Sequence, residues 1–131
     1  MTAVLKIKKR KDFLRVAKQG QKMVTSSVIL QAAQSLSVET NAARIGFTTT
    51  KKLGKAHIRN RARRRLRAAL YPLYAQLLPN LDYVLIGRYN TADCPFETLT
   101  KDLAWGIKKL NRLLQGTHHE TPLPPAADSA D

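Results

Sequence analysis

The feature that most constrains this chain is a run of cations at residues 51–67, KKLGKAHIRNRARRRLR. Nine of its seventeen positions are Lys or Arg, and none is Asp or Glu. Apolar side chains nevertheless recur every three or four positions, which is the repeat of one helix face: Ile58, Ala62, Leu66, Ala69 and Leu73. A disordered charge run would not keep such a stripe. The pattern therefore predicts an amphipathic helix over about 56–75, with an arginine face left free and a bend near Pro72.

The charge of the chain is strongly positive and unevenly placed. Residues 1–74 carry 18 Lys or Arg against two acids, whereas residues 75–131 carry five against seven. The net charge of +14 predicts a polyanionic partner that meets one side of the protein. The 131 residues suit one domain, and a lone cysteine excludes an intrachain disulfide. Because the sequence has no apolar run near the ~20 residues that span a bilayer and no signal-peptide region, we expect a cytoplasmic protein without membrane association.

Local patterns predict the elements around the basic helix. Helices are expected at about 11–19 and from Pro95 to Gln115, where apolar residues recur at helical spacing. Strands are expected at 28–33, 44–50 and 83–86, with a short additional one near Met23-Val24. The resulting order is α-β-β-β-α-β-α, which predicts an α+β fold with helices packed on a three- or four-stranded sheet.

The two ends of the chain carry less information. Residues 6–11, KIKKRK, are interpreted as a basic arm beside the polyanion site, with a nuclear address as the alternative in a eukaryotic chain. Residues 117–131 are rich in proline, small residues and acids, which predicts a disordered tail after a domain at 1–116. Trp105 lies on the far side of the last helix from its apolar stripe, and its role stays open.

The basic run resembles a signature of one family. Thr50 to Ala56, followed by Ile58 to Arg61 and Arg63 to Arg67, is similar to the pattern S-K-K-x-G-x-A-x-x-R-N-R-x-K-R of the protein subunits of bacterial ribonuclease P. Weaker similarity covers Lys11 to Gly20 and Asp82 to Arg88. The resemblance extends over residues 6 to about 114, and it is specific because order and spacing agree over more than fifteen positions.

The resemblance implies both a fold and a function. The fold is a single small α/β sandwich with a four-stranded sheet and a left-handed β-α-β crossover, against the usual rule. The function is that of an accessory subunit in a ribonucleoprotein endoribonuclease, which removes the 5′ leader from precursor tRNA. The implied partners are RNase P RNA, which carries the catalytic Mg²⁺, and precursor tRNA. No stable protein partner is predicted.

Residues matched to the family's motifs form two predicted sites. The first would contact RNA and comprises Lys51, Lys52, Lys55, Arg59, Asn60, Arg61, Arg63, Arg64 and Arg67. The second would line a cleft for the leader strand and comprises Phe13, Ala17, Gln31, Thr48 and Arg88. No catalytic residue and no metal ligand are predicted in the protein itself.

Three residues depart from the family's pattern. Ala17 and Gln31 stand where the family often has aromatic residues, and base–aromatic stacking is worth about 1–3 kcal/mol per base. We therefore expect weaker leader contact, or contact that shifts to hydrogen bonding by Gln31. Arg65 stands where an aliphatic residue is common, and we expect its side chain to extend outward from the apolar edge.

A protein-based nuclease and a non-enzymatic RNA-binding protein are the competing interpretations. A metal-dependent nuclease needs clustered carboxylates, and the basic half contains only Asp12 and Glu39, 27 positions apart. Catalysis by protein side chains is therefore not predicted. Charge and fold class alone would equally suit a structured-RNA-binding protein of ribosomal or chaperone type. Stimulation of leader cleavage by an RNA subunit distinguishes that alternative from the resemblance.

Overall fold

A computed structural model of the chain describes residues 3–36 and 42–116. Its strands are β1 Ala3–Lys6, β2 Gln21–Val24, β3 Val28–Gln34, β4 Ala42–Thr49 and β5 Leu81–Gly87. Its α-helices are α1 Arg10–Gln19, α2 Ala56–Leu70 and α3 Phe96–Gly116, and 3-10 turns occupy Lys51–Leu53 and Tyr71–Gln76. The predicted tail at 117–131 and Glu39 lie outside the described residues. No helix in the described ranges has both the length and the apolarity to cross a bilayer.

The five strands form one mixed sheet in the order β1-β4-β5-β3-β2. β4 runs parallel to both β1 and β5, whereas β3 is antiparallel to β5 and β2 is antiparallel to β3. α2 connects β4 to β5, so the predicted crossover between neighbouring parallel strands is confirmed. The α+β class is confirmed as well, while the left-handed sense of the crossover stays an implication of the resemblance.

The sheet has one more strand than predicted, because no element was expected at residues 3–5 and Lys6 was assigned to the basic arm at 6–11. Ala3–Lys6 pairs with Ala42–Ile45, so Lys6 ends a strand and the next residue, Ile7, is buried. Lys11 lies within α1. Four residues are too short to show a period, and this pairing depends on β4, which lies far along the chain. A short strand that ends in lysine is typical of a sheet edge.

The predicted basic helix stops earlier than expected. α2 ends at Leu70, and residues Tyr71–Gln76 continue as a 3-10 turn that contains Pro72. Proline has no N–H to donate to the carbonyl of Ala68, so the α-helical hydrogen-bond ladder cannot pass this point. The short strand expected near Met23-Val24 is confirmed as β2.

The two faces of the sheet are covered unequally. On one face, α2 and α3 bury a large core that includes Leu30, Leu66, Leu85 and Leu103. On the other face, α1 alone forms a small core through Val16, which leaves part of the sheet open. The predicted stripe of α3 is confirmed as buried from Leu99 to Leu114, but Phe96 at the start of the helix is 44% exposed. Trp105, which lies opposite the stripe, is 47% exposed.

Tyr83 joins β5 to the elements packed on the large core. Its hydroxyl donates to Asn111 Oδ1 over 2.5 Å and accepts from the backbone N–H of Leu78 over 2.9 Å. Burial raises the pKa of Tyr83 to about 12, because the charged phenolate would lose its hydration. The phenol therefore stays a neutral donor, and the residue ties β5 to α3 and to the segment before β5.

A buried charge cluster fixes α1 on the other face. Asp82 of β5 is completely buried and accepts hydrogen bonds from Arg44 Nε and Nη2 over 2.9 and 2.7 Å, and from Arg15 of α1. Arg15 also donates to the carbonyl of Gln34 over 2.9 Å. The hydrogen bonds from Arg44 to Asp82 raise the pKa of the Arg44 guanidinium above its ordinary value. Asp12 lies 3.5 Å from Arg44, so two acids and two arginines connect α1, β4 and β5.

We predict that Asp82→Ala lowers the free energy of unfolding by about 2–4 kcal/mol, because it leaves the partly buried Arg15 and Arg44 without their shared carboxylate. The matched control is Asp93→Ala, since Asp93 is exposed and its loss should change stability by no more than about 0.5 kcal/mol. Denaturation by urea at neutral pH measures both values. Similar losses for the two variants would mean that the cluster does not hold α1 on the sheet.

Candidate nucleic-acid interface

A cleft of about 460 Å³ opens between α1 and the uncovered part of the sheet. Its floor comes from β3, β4 and β5 through Gln31, Thr48, Val84 and Ile86. Its other side is formed by α1 and the segment before it: Lys8, Arg10, Phe13, Leu14 and Ala17. The cleft therefore combines an apolar and neutral polar floor with two cations, Lys8 and Arg10, near the start of α1.

Phe13 is seated by a glycine on the sheet. A Cβ added at Gly46 would lie 2.5 Å from Phe13 Cε1, so the ring fits only because this position of β4 has no side chain. Phe13 also lines a smaller pocket at the sheet edge, together with Lys6, Phe47 and Arg67. The ring thus separates the cleft from a space that reaches the basic helix.

The structure brings four of the five predicted cleft residues together: Phe13, Ala17, Gln31 and Thr48. Arg88 lines a neighbouring depression of about 240 Å³ instead, and Ile86 is shared by the cleft and the depression. The guanidinium of Arg88 donates to the carbonyl of Thr25 over 2.6 Å. Sequence reasoning did not assign Lys8 and Arg10 to the cleft, because their place depends on how the chain turns from β1 into α1.

The arginine face predicted for α2 is present. Ala62, Leu66 and Ala69 are buried against the sheet and α3. The opposite side exposes three predicted RNA-contact residues, Asn60, Arg64 and Arg67, and Arg61 is exposed at the edge of the apolar stripe. Lys52 and Lys55 are exposed just before the helix, and the Lys51 side chain lies outside the described part. Among the side chains that the structure describes, no Asp or Glu forms an ion pair with a cation of this surface.

Several of these cations are held in place by uncharged groups. Arg59 donates to the carbonyl of Gly54 over 2.7 Å, where φ of +123° requires a glycine. Arg63 donates to Asn60 Oδ1 and lies 3.4 Å from Thr49 Oγ1. The guanidinium of Arg67 lies 5.2 Å from the centre of the Phe47 ring. These contacts orient the guanidinium groups without neutralising their charge, which suits a surface that binds an anion.

Arg65 does not extend outward as predicted. It donates to the carbonyls of Thr91 and Cys94 over 2.7 and 2.6 Å, and its guanidinium lies 5.7 Å from the centre of the Phe96 ring. Arg61, one turn earlier, donates from Nε to the carbonyl of Ala92 over 2.8 Å. α2 therefore holds the turn between β5 and α3. The sequence contains no signal for these bonds, because the acceptors are main-chain carbonyls far along the chain.

The described residues do not form a magnesium site. In the ranges 3–36 and 42–116, no group of three or more His, Cys, Asp or Glu could hold a metal ion. The carboxylates of Asp12 and Asp82 are engaged by arginines instead.

Comparisons with known proteins agree with the motifs. A family model described as Ribonuclease P matches residues 1–111. The ribonuclease P protein component of Paramagnetospirillum magneticum is 43% identical over 116 residues, which cover 86% of this chain and 86% of that protein. The corresponding protein of Gluconacetobacter diazotrophicus is 43% identical over 105 residues, which cover 79% of this chain and 89% of that protein.

Solved structures share the fold. The RNase P protein of Staphylococcus aureus superposes with a TM-score of 0.68 at 26% identity, over 79% of this chain and 93% of that one. The RNase P protein of Thermotoga maritima superposes with a TM-score of 0.66 at 22% identity, over 82% of this chain and 96% of that one. At 22% identity this second likeness concerns the fold alone.

We predict that Arg65→Ala lowers the free energy of unfolding by about 2–3 kcal/mol, because two charge-assisted hydrogen bonds to the 91–94 carbonyls are lost. Arg64→Ala is the matched control, since it removes the same charge from the preceding position, which is exposed, and should cost no more than about 0.5 kcal/mol. Hydrogen exchange should also show faster exchange at Asp93 and Cys94 in Arg65→Ala. Equal stability of the two variants would contradict the anchoring role.

Proposed function

The chain belongs to the family of ribonuclease P protein components, and from that membership we propose how its two surfaces serve the enzyme. The exposed cations of α2 dock on the catalytic RNA. The cleft beside α1 holds the 5′ leader of precursor tRNA as an extended single strand. The protein thereby assists the endonucleolytic step that gives the mature 5′ end of the tRNA, and the RNA subunit performs the chemistry.

The observation that carries this proposal is that exposed cations of α2 have no acidic partner among the described residues, while an open cleft lies on the other face of the sheet. Arg64 and Arg67 are exposed, and no carboxylate in the described ranges pairs with them. A planar guanidinium binds phosphate through two parallel hydrogen bonds, and a helix face of such groups can meet phosphates at several angles. Folded RNA presents phosphates in this irregular way, so the surface suits a structured RNA.

The cleft has the features expected for a single strand. The Phe13 ring offers a face on which one base can stack. Gln31 and Thr48 on the floor offer amide and hydroxyl groups, which can donate to or accept from base edges. Lys8 and Arg10 are placed to meet backbone phosphates. Ala17 leaves room on α1 where a second ring would stand, so polar contacts carry more of the proposed leader binding.

Mg²⁺ has its proposed place in the RNA subunit. A ribonuclease of this family works with divalent metal ions, but the carboxylates of the described residues are dispersed or paired with arginine and do not suit such an ion. We therefore assign this chain no metal ligand and derive no chemical step through the metal.

The alternative of a non-enzymatic RNA-binding protein is not favoured, since the family model and both relatives belong to ribonuclease P. A cytoplasmic location, the boundary of the domain near residue 116 and the absence of a stable protein partner stay predictions from the sequence.

Reconstitution tests the proposal directly. The protein is mixed with a bacterial RNase P RNA and a precursor tRNA at a Mg²⁺ concentration too low for the RNA alone to be active. We expect the protein to restore cleavage at the mature 5′ end. Cleavage no faster than with the RNA alone would overturn the proposal and leave the alternative of a non-enzymatic RNA-binding protein.

Arg64→Ala should weaken binding to RNase P RNA and reduce the slope of log K against log salt by about 0.7–0.9, which corresponds to one phosphate contact. The control is Lys108→Ala, which removes one positive charge from an exposed position of α3. Binding is measured by filter retention between 50 and 400 mM salt. A slope that changes equally in both variants would mean that net charge acts, rather than the α2 surface.

A further inference from the structure

Tyr89 is an exposed aromatic side chain that neither the core nor the motifs explain. It follows β5 directly, and 76% of its surface is exposed. Its ring belongs to the depression of about 240 Å³ that adjoins the cleft at Ile86. A ring that contributes so little to packing is available to a ligand, and this one lies along the line of the proposed leader strand.

The depression continues the groove along the strands. On β4, Gly46 lies under Phe13, Thr48 lies in the cleft and Thr50, just past the strand, lines the depression. A strand rises about 3.3 Å per residue, so the depression lies roughly 13 Å from the seat of Phe13. One extended single strand can therefore pass both rings.

The turn that carries Tyr89 is held firmly. The backbone N–H of Arg88 donates to Thr91 Oγ1 over 2.7 Å, and that hydroxyl donates to the carbonyl of Ser27 over 2.6 Å. Arg61 and Arg65 of α2 hold the following carbonyls of the same turn. A ring mounted on such a turn loses little freedom when a ligand binds, which favours affinity.

The chemistry of the depression suits a nucleotide. Lys52 and Arg88 supply positive charge, Ile29 and Leu53 supply apolar surface, and no acid is among the described residues that line it. The guanidinium of Arg88 lies 5.9 Å from the centre of the Tyr89 ring and is itself held by Thr25. A base on the ring with a phosphate near Lys52 would use both kinds of surface.

We propose that Tyr89 is the stacking platform for a second unpaired base of the leader, at the end of the groove away from Phe13. This inference rests on the proposed function of the cleft. The Tyr89 side chain supplies an aromatic ring that the centre of the groove lacks, because Ala17 and Gln31 stand there. Every base has a π-face, so the contact is tolerant of leader sequence.

The test uses the enzyme reconstituted from RNase P RNA and the full-length protein, with Tyr89→Ala, Tyr89→Phe and Tyr71→Ala. Tyr71 is the matched control, because it is a similarly exposed tyrosine, at 70%, and its ring packs edge-on against Tyr74 away from the groove. Dissociation constants are measured for a precursor tRNA with a leader and for the mature tRNA. Circular dichroism verifies that each variant is folded.

We expect Tyr89→Ala to weaken precursor binding by about 5- to 150-fold, which is the equivalent of one stacked base, and to leave mature tRNA binding unchanged. Tyr89→Phe keeps the ring and should bind as the wild type does, and so should Tyr71→Ala. An abasic nucleotide moved along the leader should find one position at which the wild type and Tyr89→Ala become equal.

Three results would overturn the inference: no loss of precursor binding in Tyr89→Ala, an equal loss for mature tRNA, or a loss in Tyr89→Phe as large as that in Tyr89→Ala. The second would assign Tyr89 to the tRNA body, and the third would assign the effect to its hydroxyl. Failure of the proposed function is a separate observation, since the wild-type protein would then not stimulate leader removal at all.

Discussion

The position of α1 depends on one buried carboxylate. Asp82 is completely enclosed and would be strongly unfavourable there without the two guanidinium groups that donate to it. One of them, Arg15, belongs to α1, and the other, Arg44, belongs to β4. Because α1 forms one side of the cleft and β4 and β5 form its floor, this cluster determines how far the two sides stand apart. The cleft is therefore a consequence of charge pairing as much as of apolar burial.

The basic helix has two kinds of arginine. Those on its outer side, such as Arg64, are exposed, and they are the residues proposed to contact RNA. Those beside its apolar stripe, Arg61 and Arg65, donate to the main chain of the turn after β5. Both kinds lie within one short sequence, but they act on different parts of the molecule. The helix thus connects the docking surface to the far end of the groove, since the turn that it holds carries Arg88 and Tyr89.

The sequence predicts those parts of the molecule that depend on local periodicity. The stripe of α2 and the run of β5 follow from repeats that a few residues display, and the structure confirms both. β1 could not be found in this way, because its four residues gain their order from pairing with Ala42–Ile45. The prediction for the orientation of Arg65 was wrong for a similar reason, since its acceptors are carbonyls almost thirty residues away. Phe13, Gln31 and Thr48, which motif matching had grouped, line one cleft. Arg88 lines the neighbouring depression, and its place there depends on the three-dimensional course of the groove.

Charge and shape make different contributions to the proposed function. A net charge of +14 attracts any RNA, and the attraction is screened beyond about 8 Å at physiological salt. Such a field raises the rate and strength of binding without choosing between a leader strand and another polyanion. Choice must come from groups that act at contact distance. In this chain those groups are neutral: the rings of Phe13 and Tyr89 and the polar floor at Gln31 and Thr48. The rings favour an unpaired strand over a duplex, because only unpaired bases expose their faces for stacking. Since a ring stacks on any base, any preference for leader sequence depends on Gln31 and Thr48.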